Sequence, residues 1–295
     1  MFHSILERID PANIRHGGFP RVVVENALPD AYYRELASSF PSLDYITDGK
    51  PLANNQPYRK TAAEVADDMT VPAIWQEFLA GHCSHDFYRR LLDIWGPDID
   101  AAHPSMTKNF GKHPSDFSSG IRQSGKAGNE ANRTRDIMLD CQLVYNSPVR
   151  EQSSVRGPHL DSPIKLFAGL FYMRHPDDKS VGGDLTFYKL TRGRYPRPKR
   201  ERIDPRYVEP IETVPYRANT FVFFINTPFA FHGVSARSVT ETPRRYVNFL
   251  GECYNGKEKD YFTVRDRWLP RKVRKLHRRW HLRKERNAQA LDNTE

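Results

Sequence analysis

From residue 139 onward, apolar residues come in short runs or alternate with polar ones, and turn-forming residues separate the runs. Runs of this kind predict β-strands, and many strands without intervening helices favour a sandwich or barrel of the jelly-roll kind. The predicted strands are Leu139–Tyr145, Ile164–Met173, Leu185–Leu190, Ile211–Tyr216, Thr220–Ile225 and Arg245–Gly251.

The first third of the chain has a different pattern, because many of its apolar residues recur at the spacing of helices. Helices are predicted to begin near Ser4, Pro29, Pro72 and Ser84, and Gly96-Pro97 is predicted to end the last one. The first helix is predicted to run from Ser4 to Ile9, and one strand, Arg21–Val24, follows it. Residues 41–60 are rich in Pro, Asn and Asp and predict a loop.

Residues 111–135 are polar and rich in Gly, Ser and Asn, which predicts a long loop. Long loops are often functional, so a lid over a binding site is one interpretation. A surface excursion is the other, and the sequence leaves both open. We expect residues 1–135 to form helical support for a β core in the same domain, residues 136–255. Residues 256–295 are predicted to form a basic helical tail.

The chain has 295 residues and a formal net charge of +9, much of it at the end. Residues 257–295 carry 13 Lys and Arg against 6 Asp and Glu. Within this segment, Trp268, Leu276 and Trp280 can share one helix face. Basic amphipathic helices with Trp are typical of contact with a membrane surface or an anionic polymer. A terminal helix packed on the body of the protein, with its basic face in water, is the alternative.

A second basic stretch, residues 192–210, interrupts the predicted strands with seven Arg and Lys against three acids. It is either a proline-stiffened surface loop or an insert that contacts an anionic substrate. Three widely spaced cysteines favour a reduced interior over a disulfide framework or a zinc cage. The chain has no apolar run of 18 residues and no signal-peptide pattern. We therefore expect a cytoplasmic protein, peripheral at a membrane surface if the tail binds one.

Candidate metal ligands lie in the stretch Gly157–Pro163. Alternate residues of an extended strand point the same way, so His159 and Asp161 can face one ion. With His232 added, two imidazoles and one carboxylate leave coordination positions open for substrate and O2, as in non-haem Fe(II) oxygenases. The stretch His175–Asp177 repeats the spacing among turn-forming residues, and we interpret it as a chance match.

These residues, in their order, resemble the 2-oxoglutarate- and Fe(II)-dependent dioxygenases, with the prolyl 4-hydroxylase-like branch most similar. The likeness spans residues 139–252 and consists of Tyr145, His159-x-Asp161, Leu170–Met173, Gly182–Leu185, His232 and Arg245-Tyr246. It implies a mainly β fold with N-terminal helices, in which a double-stranded β-helix of jelly-roll or cupin-like type carries the metal at one open end.

The resemblance implies that His159, Asp161 and His232 bind Fe(II) and that 2-oxoglutarate chelates the same iron. The far carboxylate of 2-oxoglutarate then needs a cation, best supplied by a forked guanidinium. Arg245 matches the family position and is preferred over its neighbour Arg244.

Two tyrosines complete the implied cosubstrate site. Tyr172 is expected to hydrogen-bond the far carboxylate, and Tyr145 is expected to lie near the cosubstrate. The spacing departs from the family in one respect, because Arg245 lies 13 residues after His232, more than is usual there. The loop 235–243 would absorb the difference.

The implied reaction hydroxylates an unactivated C–H bond with Fe(II), O2 and 2-oxoglutarate, releases succinate and CO2, and could be supported by ascorbate. The carboxylate of Asp161 favours hydroxylation over halogenation, because halogenases of the family lack this ligand. The substrate could be a sugar, a glycolipid precursor or a peptidyl residue, and the basic segments favour an anionic one. Two alternatives stay open: a non-catalytic jelly-roll module that binds an anionic glycan or nucleic acid, and a metal-dependent cupin enzyme that does not use 2-oxoglutarate. The sequence leaves the oligomeric state open.

Overall fold

A computed structural model describes residues 2–126, 128–191 and 203–256 of the chain. The α-helices among these residues all lie before the long β-strands. They are α1 Asp30–Ser38, α2 Leu43–Thr47, α3 Ala62–Val65, α4 Ala73–His82, α5 His85–Ala102, α6 Met106–Phe110 and α7 Gly128–Ala131. Short 3-10 helices cover Pro11–Asn13, Pro114–Asp116 and Pro205–Tyr207.

The β-strands of the described residues include all those that the sequence predicts, with bounds shifted by at most a few positions. They are β1 Arg21–Glu25, β2 Pro57–Lys60, β3 Ser119–Ile121, β4 Ile137–Asn146, β5 Lys165–Tyr172, β6 Leu185–Leu190, β7 Val208–Val214, β8 Thr220–Ile225, β9 Phe231–Val234 and β10 Arg244–Glu252. Three of them, β2, β3 and β9, are not predicted, and each has only three or four residues.

The larger sheet, called the major sheet here, has the strand order β1-β8-β5-β10-β4-β2. Neighbours along this path are antiparallel, and β3 pairs in parallel with β4. Strand β8 is buried at every position, so its apolar run Phe221–Ile225 has no polar alternation. This pattern indicates that both faces of the major sheet are covered.

The smaller sheet, called the minor sheet, has the order β7-β6-β9 and covers one face of the major sheet. A shared apolar core joins the two sheets. Its members from the major sheet are Ala168, Tyr172, Val222 and Phe224, and those from the minor sheet are Leu185, Phe187 and Val214. Two sheets on a common core, with helices on the outer face of the larger one, are consistent with a jelly-roll core, so the predicted fold class is confirmed.

Helices cover the other face of the major sheet, as predicted. Trp75 of α4 and Trp95 of α5 are fully buried in a second core that also contains Phe171 and Phe249 of the sheet. Alternation along β5 and β10 therefore sends successive side chains into different layers. One set enters the barrel between the sheets, and the other packs under the helices.

One predicted helix and the predicted end of another are wrong. Residues 5–8 form turns instead of the helix Ser4–Ile9, and the backbone N–H of Ile5 donates to Nε2 of His82. Helix α5 continues through Gly96-Pro97 to Ala102. Proline removes one helical hydrogen bond, but the fully buried Ile99 extends the apolar face of α5 beyond it. Tertiary packing therefore overrides the local signal.

Two predicted loops also contain regular structure. Residues 41–60 include α2 and β2, and residues 111–135 include β3 and α7. Ser42 caps α2 by accepting a hydrogen bond from the N–H of Tyr45. Both short strands pair with β4, which is buried along its whole length. The two short strands depend on pairing with β4, a distant strand, and local composition does not reveal this pairing.

The basic insert at 192–210 is described only from residue 203, and the tail 256–295 lies outside the described residues except for residue 256. The interpretations given to these segments stay predictions. Among the described helices, none combines the length and the apolar character required to cross a lipid bilayer.

Candidate functional site

Three side chains from two segments that are far apart in sequence meet at one end of the barrel. His159 and Asp161 lie in the segment between β4 and β5, and His232 lies on β9 of the minor sheet. Nε2 of His159 is 4.0 Å from Oδ1 of Asp161, and Nε2 of His232 is 3.9 Å from Oδ2. One ligand atom from each residue lies within 4.8 Å of the other two.

Backbone groups orient both imidazoles. Nδ1 of His159 lies 2.9 Å from the carbonyl oxygen of Gly157, and Nδ1 of His232 lies 2.9 Å from that of Ala230. A carbonyl oxygen only accepts, so each Nδ1 carries the proton and donates it. Each Nε2 therefore keeps its lone pair and points it toward Asp161. Outer hydrogen bonds of this type set the tautomer of metal-binding histidines.

The electrostatic environment keeps these groups in the state that binds a metal. Burial lowers the pKa of His159 to about 2, with help from the neighbouring His232, and burial also lowers the pKa of His232. Burial opposes ionisation of Asp161, but the charge of Lys165, 3.1 Å away, and the two imidazoles outweigh it and lower the pKa of this carboxyl. The site thus has two neutral imidazoles and one carboxylate.

The donor set and its spacing fit a divalent transition metal. Nitrogen and oxygen ligands bind such ions at about 2.0–2.2 Å, so two bonds span at most about 4.4 Å. The distances of 3.9 and 4.0 Å lie inside this limit and exceed a hydrogen bond. The three donors therefore surround a common point instead of pairing with one another. Two histidines and one carboxylate are typical of non-haem Fe(II).

The second His-x-Asp match has no such surroundings. Asp177 lies in a turn, and its backbone N–H donates to Nδ1 of His175. Its side chain is 86% exposed. Among the described residues, the three-residue cluster that could hold a metal is the one formed by His159, Asp161 and His232.

The structure corrects the choice between the two arginines of β10. Arg244 shares the barrel-facing side of the strand with Tyr246, whereas Arg245 shares the helix-facing side with Val247. Nε of Arg245 donates to the carbonyl of Met173, and its guanidinium carbon lies 5.5 Å from the ring centroid of Phe40. The expectation that Arg245 enters the barrel is therefore wrong, and Arg244 takes that place.

Arg244 lies in a cage of three tyrosine rings inside the barrel. Its guanidinium carbon is 4.5 Å from the ring centroid of Tyr216, 4.7 Å from that of Tyr246 and 5.0 Å from that of Tyr172. Nε and Nη2 of Arg244 are buried without a hydrogen-bond partner, and so is the hydroxyl of Tyr172. Burial raises the pKa of Tyr172, so this hydroxyl stays protonated. Arg244 and Tyr172 thus bring buried donors to one part of the barrel, where no carboxylate or carbonyl of the described residues accepts from them.

Asn146 is a polar residue of this region that the sequence reasoning missed. It is paired with Arg244 across β4 and β10, is 1% exposed, and has no partner for either amide atom. Asn146 directly follows the predicted strand Leu139–Tyr145, and it becomes a signal only once the residue that faces it is known. Its placement beside Arg244 adds both a donor and an acceptor to the same end of the barrel.

The structure separates Tyr145 from Tyr172. Tyr145 points to the helix side, where its ring centroid is 5.2 Å from that of Phe40, and it lies close enough for the charge of Arg245 to act on it. The three predicted cosubstrate residues, together with Arg244, are thus divided between the faces of the major sheet. Tyr172 lies with Arg244 in the barrel, and Tyr145 lies with Arg245 under the helices.

No protein-family model matches the chain, and no curated protein matches it. Solved structures do. A prolyl 4-hydroxylase from Pseudomonas putida is 13% identical with a TM-score of 0.37, over 79% of this chain and 92% of that one. A 2OG-Fe(II) oxygenase family member from Burkholderia pseudomallei is 13% identical with a TM-score of 0.42, over 88% and 95%. The epimerase SnoN, solved with Fe3+ and alpha-ketoglutarate, is 14% identical with a TM-score of 0.44, over 84% and 83%.

These structures belong to the class of proteins that the order of residues in the sequence resembles. All three identities are 14% or lower and all three TM-scores lie below 0.5. We therefore base the function on the side-chain geometry of this chain.

Proposed function

We propose that the protein is a 2-oxoglutarate- and Fe(II)-dependent oxygenase that hydroxylates a C–H bond of its substrate. The observation that carries this proposal is the convergence of His159, Asp161 and His232 at one end of the barrel. When bound, the iron would supply the activation of O2 at the positions that these three ligands leave open.

The protein would hold the iron with groups that need no rearrangement of protons. Both imidazoles are neutral with Nε2 free, and Asp161 is ionised next to Lys165. Metal ligands must be deprotonated at the ligating atom, and a site already in that state binds without releasing a proton. The same burial that lowers the histidine pKa values keeps bulk water away from the reacting groups.

The tyrosine cage around Arg244 supports 2-oxoglutarate as the cosubstrate. Nearly all buried polar groups of folded proteins have hydrogen-bond partners, so the free donors of Arg244 and Tyr172 indicate a missing acceptor. A carboxylate matches a guanidinium by accepting two parallel hydrogen bonds. In this proposal, Arg244 binds the far carboxylate of 2-oxoglutarate, and Tyr172 donates a third hydrogen bond.

This buried cation also bears on the alternatives. A metal-dependent cupin enzyme without 2-oxoglutarate has no need for an unpaired guanidinium in the barrel, so Arg244 favours the oxygenase. A non-catalytic module that binds polyanions would use residues 192–206 and the tail, most of which lie outside the described residues. No observation on the described residues favours that alternative.

The test is the conversion of 2-oxoglutarate. Protein purified without oxygen, then given Fe(II), labelled 2-oxoglutarate and air, should release labelled succinate even without substrate, because slow uncoupled turnover needs only the cosubstrate. His159→Ala should abolish this release, and the matched variant His175→Ala, in the second His-x-Asp stretch, should retain it. Equal succinate release by wild type and His159→Ala would refute the proposal.

A further inference from the structure

A cavity of about 350 Å³ opens on the barrel-facing side of the major sheet. Ligand pockets range from about 300 to 1,000 Å³, so it suits a small molecule or one group of a larger one. Its wall is almost entirely polar, with Leu250 as the apolar member. The wall residues are Arg59, Thr61, Glu64, Arg122, Ser124, Gln142, Lys165, Leu250 and Glu252. The segment 111–135, predicted to be a lid or a surface loop, contributes Arg122 and Ser124.

Lys165 places this cavity next to the cluster of His159, Asp161 and His232. Its Nζ lies 3.1 Å from Oδ1 of Asp161, and Lys165 also lines the cavity. A molecule that fills the cavity and touches Lys165 therefore lies beside the carboxylate that would bind iron. This is the position that a substrate of the proposed oxygenase must occupy.

The two acids of the wall are already engaged. Glu252 accepts hydrogen bonds from Nε of Arg122 and from the hydroxyl of Tyr254. Glu64 accepts from the backbone N–H of Thr61 at 2.9 Å and from its hydroxyl at 2.7 Å. Charged groups with such partners are poor receptors for a cationic ligand, because binding would break existing charge-assisted hydrogen bonds.

The cations of the wall retain capacity for an anion. Arg59 is exposed, and its guanidinium has no hydrogen bond or ion pair with any described residue. Arg122 uses Nε for Glu252 and Nη1 for Asp140, and no described residue pairs with its Nη2. Nζ of Lys165 pairs with Asp161, whose charge the metal would share. The N–H groups of Arg59 and Nη2 of Arg122 are therefore the donors of the wall cations that remain available to an anion.

From this arrangement, and resting on the proposed function, we infer that the substrate is a small polar molecule, or the end group of one, that carries a phosphate or carboxylate. Arg59 and Arg122 would bind the anionic group at the cavity wall. The hydroxyl of Ser124 and the amide of Gln142 would serve neutral polar groups. Gln142 is held for this role, because its Nε2 donates to Asp140 at 2.6 Å and its Oε1 accepts from Asn248 at 2.9 Å.

The experiment measures binding, not turnover, with probes that differ by one anionic group. Titration calorimetry compares glucose 6-phosphate with glucose and O-phosphoserine with serine. The full chain carries His159→Ala in every sample, so that metal-bound phosphate cannot contribute. Arg59→Ala is compared with Arg89→Ala, an exposed arginine of α5 outside the cavity wall.

At least one phosphorylated probe should bind at least about tenfold more tightly than its neutral partner, and Arg59→Ala should weaken it by about tenfold, since a charge-assisted hydrogen bond is lost. Arg89→Ala should leave binding unchanged. The inference is overturned if no phosphorylated probe is preferred or if both variants lose affinity equally. Because no iron is present, phosphate binding without 2-oxoglutarate conversion would refute the proposed function alone.

Discussion

His159 and His232 exchange both of their backbone hydrogen bonds. The N–H of His159 donates to the carbonyl of His232 at 2.8 Å, and the N–H of His232 donates back at 3.0 Å. This isolated antiparallel bridge extends the minor sheet by one residue pair beyond β9. This backbone pairing brings the two imidazoles together, with their ring centroids 4.2 Å apart.

Gly233, next to His232, should be essential for this bridge. A Cβ atom at Gly233 would lie 2.8 Å from the carbonyl carbon of Gly157 and 2.9 Å from the nitrogen of Pro158. Gly233→Ala should therefore push the segment carrying His159 away from β9. Changes around the ligands of a metal site typically lower metal affinity about 10- to 100-fold, and we expect a loss of this size.

The matched control for this substitution is Gly157→Ala on the opposite side of the bridge, because a Cβ there meets no atom within 4 Å. Equilibrium dialysis against Fe(II) without oxygen gives the dissociation constants. If Gly233→Ala binds iron as tightly as Gly157→Ala, close backbone approach does not position the ligands.

The two arginines of β10 should respond differently to the same substitution. Arg244→Gln should raise the dissociation constant of 2-oxoglutarate at least about tenfold, because a charged donor facing the ligand is lost. Arg245→Gln should leave that constant near the wild-type value, since Arg245 contacts Met173 and Phe40 outside the barrel. Anaerobic titration of the iron-loaded variants measures both. If Arg245→Gln loses more affinity for 2-oxoglutarate than Arg244→Gln, Arg245 is the anchor, as the sequence predicted.

Tyr172→Phe should separate binding from stability. The hydroxyl is buried without a partner, so its removal should leave the free energy of unfolding unchanged or raise it. Affinity for 2-oxoglutarate should nevertheless fall, by about 1 kcal/mol for one lost hydrogen bond. Urea unfolding and anaerobic titration give the two values.

Tyr216→Phe is the control for the same chemical change. The hydroxyl of Tyr216 donates to the carbonyl of Arg245 and accepts from its N–H, each at 3.0 Å. Its removal leaves the buried N–H of Arg245 unpaired, while the carbonyl keeps the N–H of Met173 at 3.2 Å, and should cost about 1–3 kcal/mol of stability. A loss of stability in Tyr172→Phe equal to that in Tyr216→Phe would show that the Tyr172 hydroxyl has a structural partner.

His82 should make the fold sensitive to acid. Its Nε2 accepts from the N–H of Ile5 and its Nδ1 donates to the carbonyl of Phe78, an arrangement that requires the neutral ring. Burial lowers the pKa of His82 to about 3, whereas an unfolded histidine titrates near 6.5. Between these values the unfolded chain binds the extra proton, so stability falls as pH decreases, by up to about 1.4 kcal/mol per unit.

Urea unfolding at pH 7 and pH 5 isolates this contribution. His82→Gln cannot titrate, so its loss of stability between the two pH values should be smaller than that of the wild type by about 2 kcal/mol. The other buried histidines are common to both proteins and cancel in the comparison. Equal losses would mean that His82 takes up its proton in the folded state.

The sequence predicts the long strands and the metal cluster because both depend on local patterns. The apolar run of β8 and the His159-x-Asp161 alternation need only neighbouring residues to be recognised. The helix over Ser4–Ile9 fails for the opposite reason, since a side chain from α4 takes the N–H of Ile5. Strands β2 and β3 form because both pair with β4.

The choice of arginine shows the limit of such reasoning most clearly. Adjacent strand residues face opposite sides, so an error of one position exchanges barrel and helix layer. The side of the sheet that each residue of β10 faces is set where the chain returns from β9. There, isolated β-bridges pair Arg237 with Ser153 and Thr240 with Val149. These contacts join distant segments, and spacing from His232 alone does not contain them.

Iron stoichiometry is the most direct test that His159, Asp161 and His232 share one ion. Wild type, His159→Ala, His232→Ala and His175→Ala are loaded with Fe(II) without oxygen, passed through a desalting column and analysed for bound iron by mass spectrometry. We predict one iron per chain in wild type and His175→Ala, and little or none in the other two variants. One iron retained by either His159→Ala or His232→Ala would contradict the account.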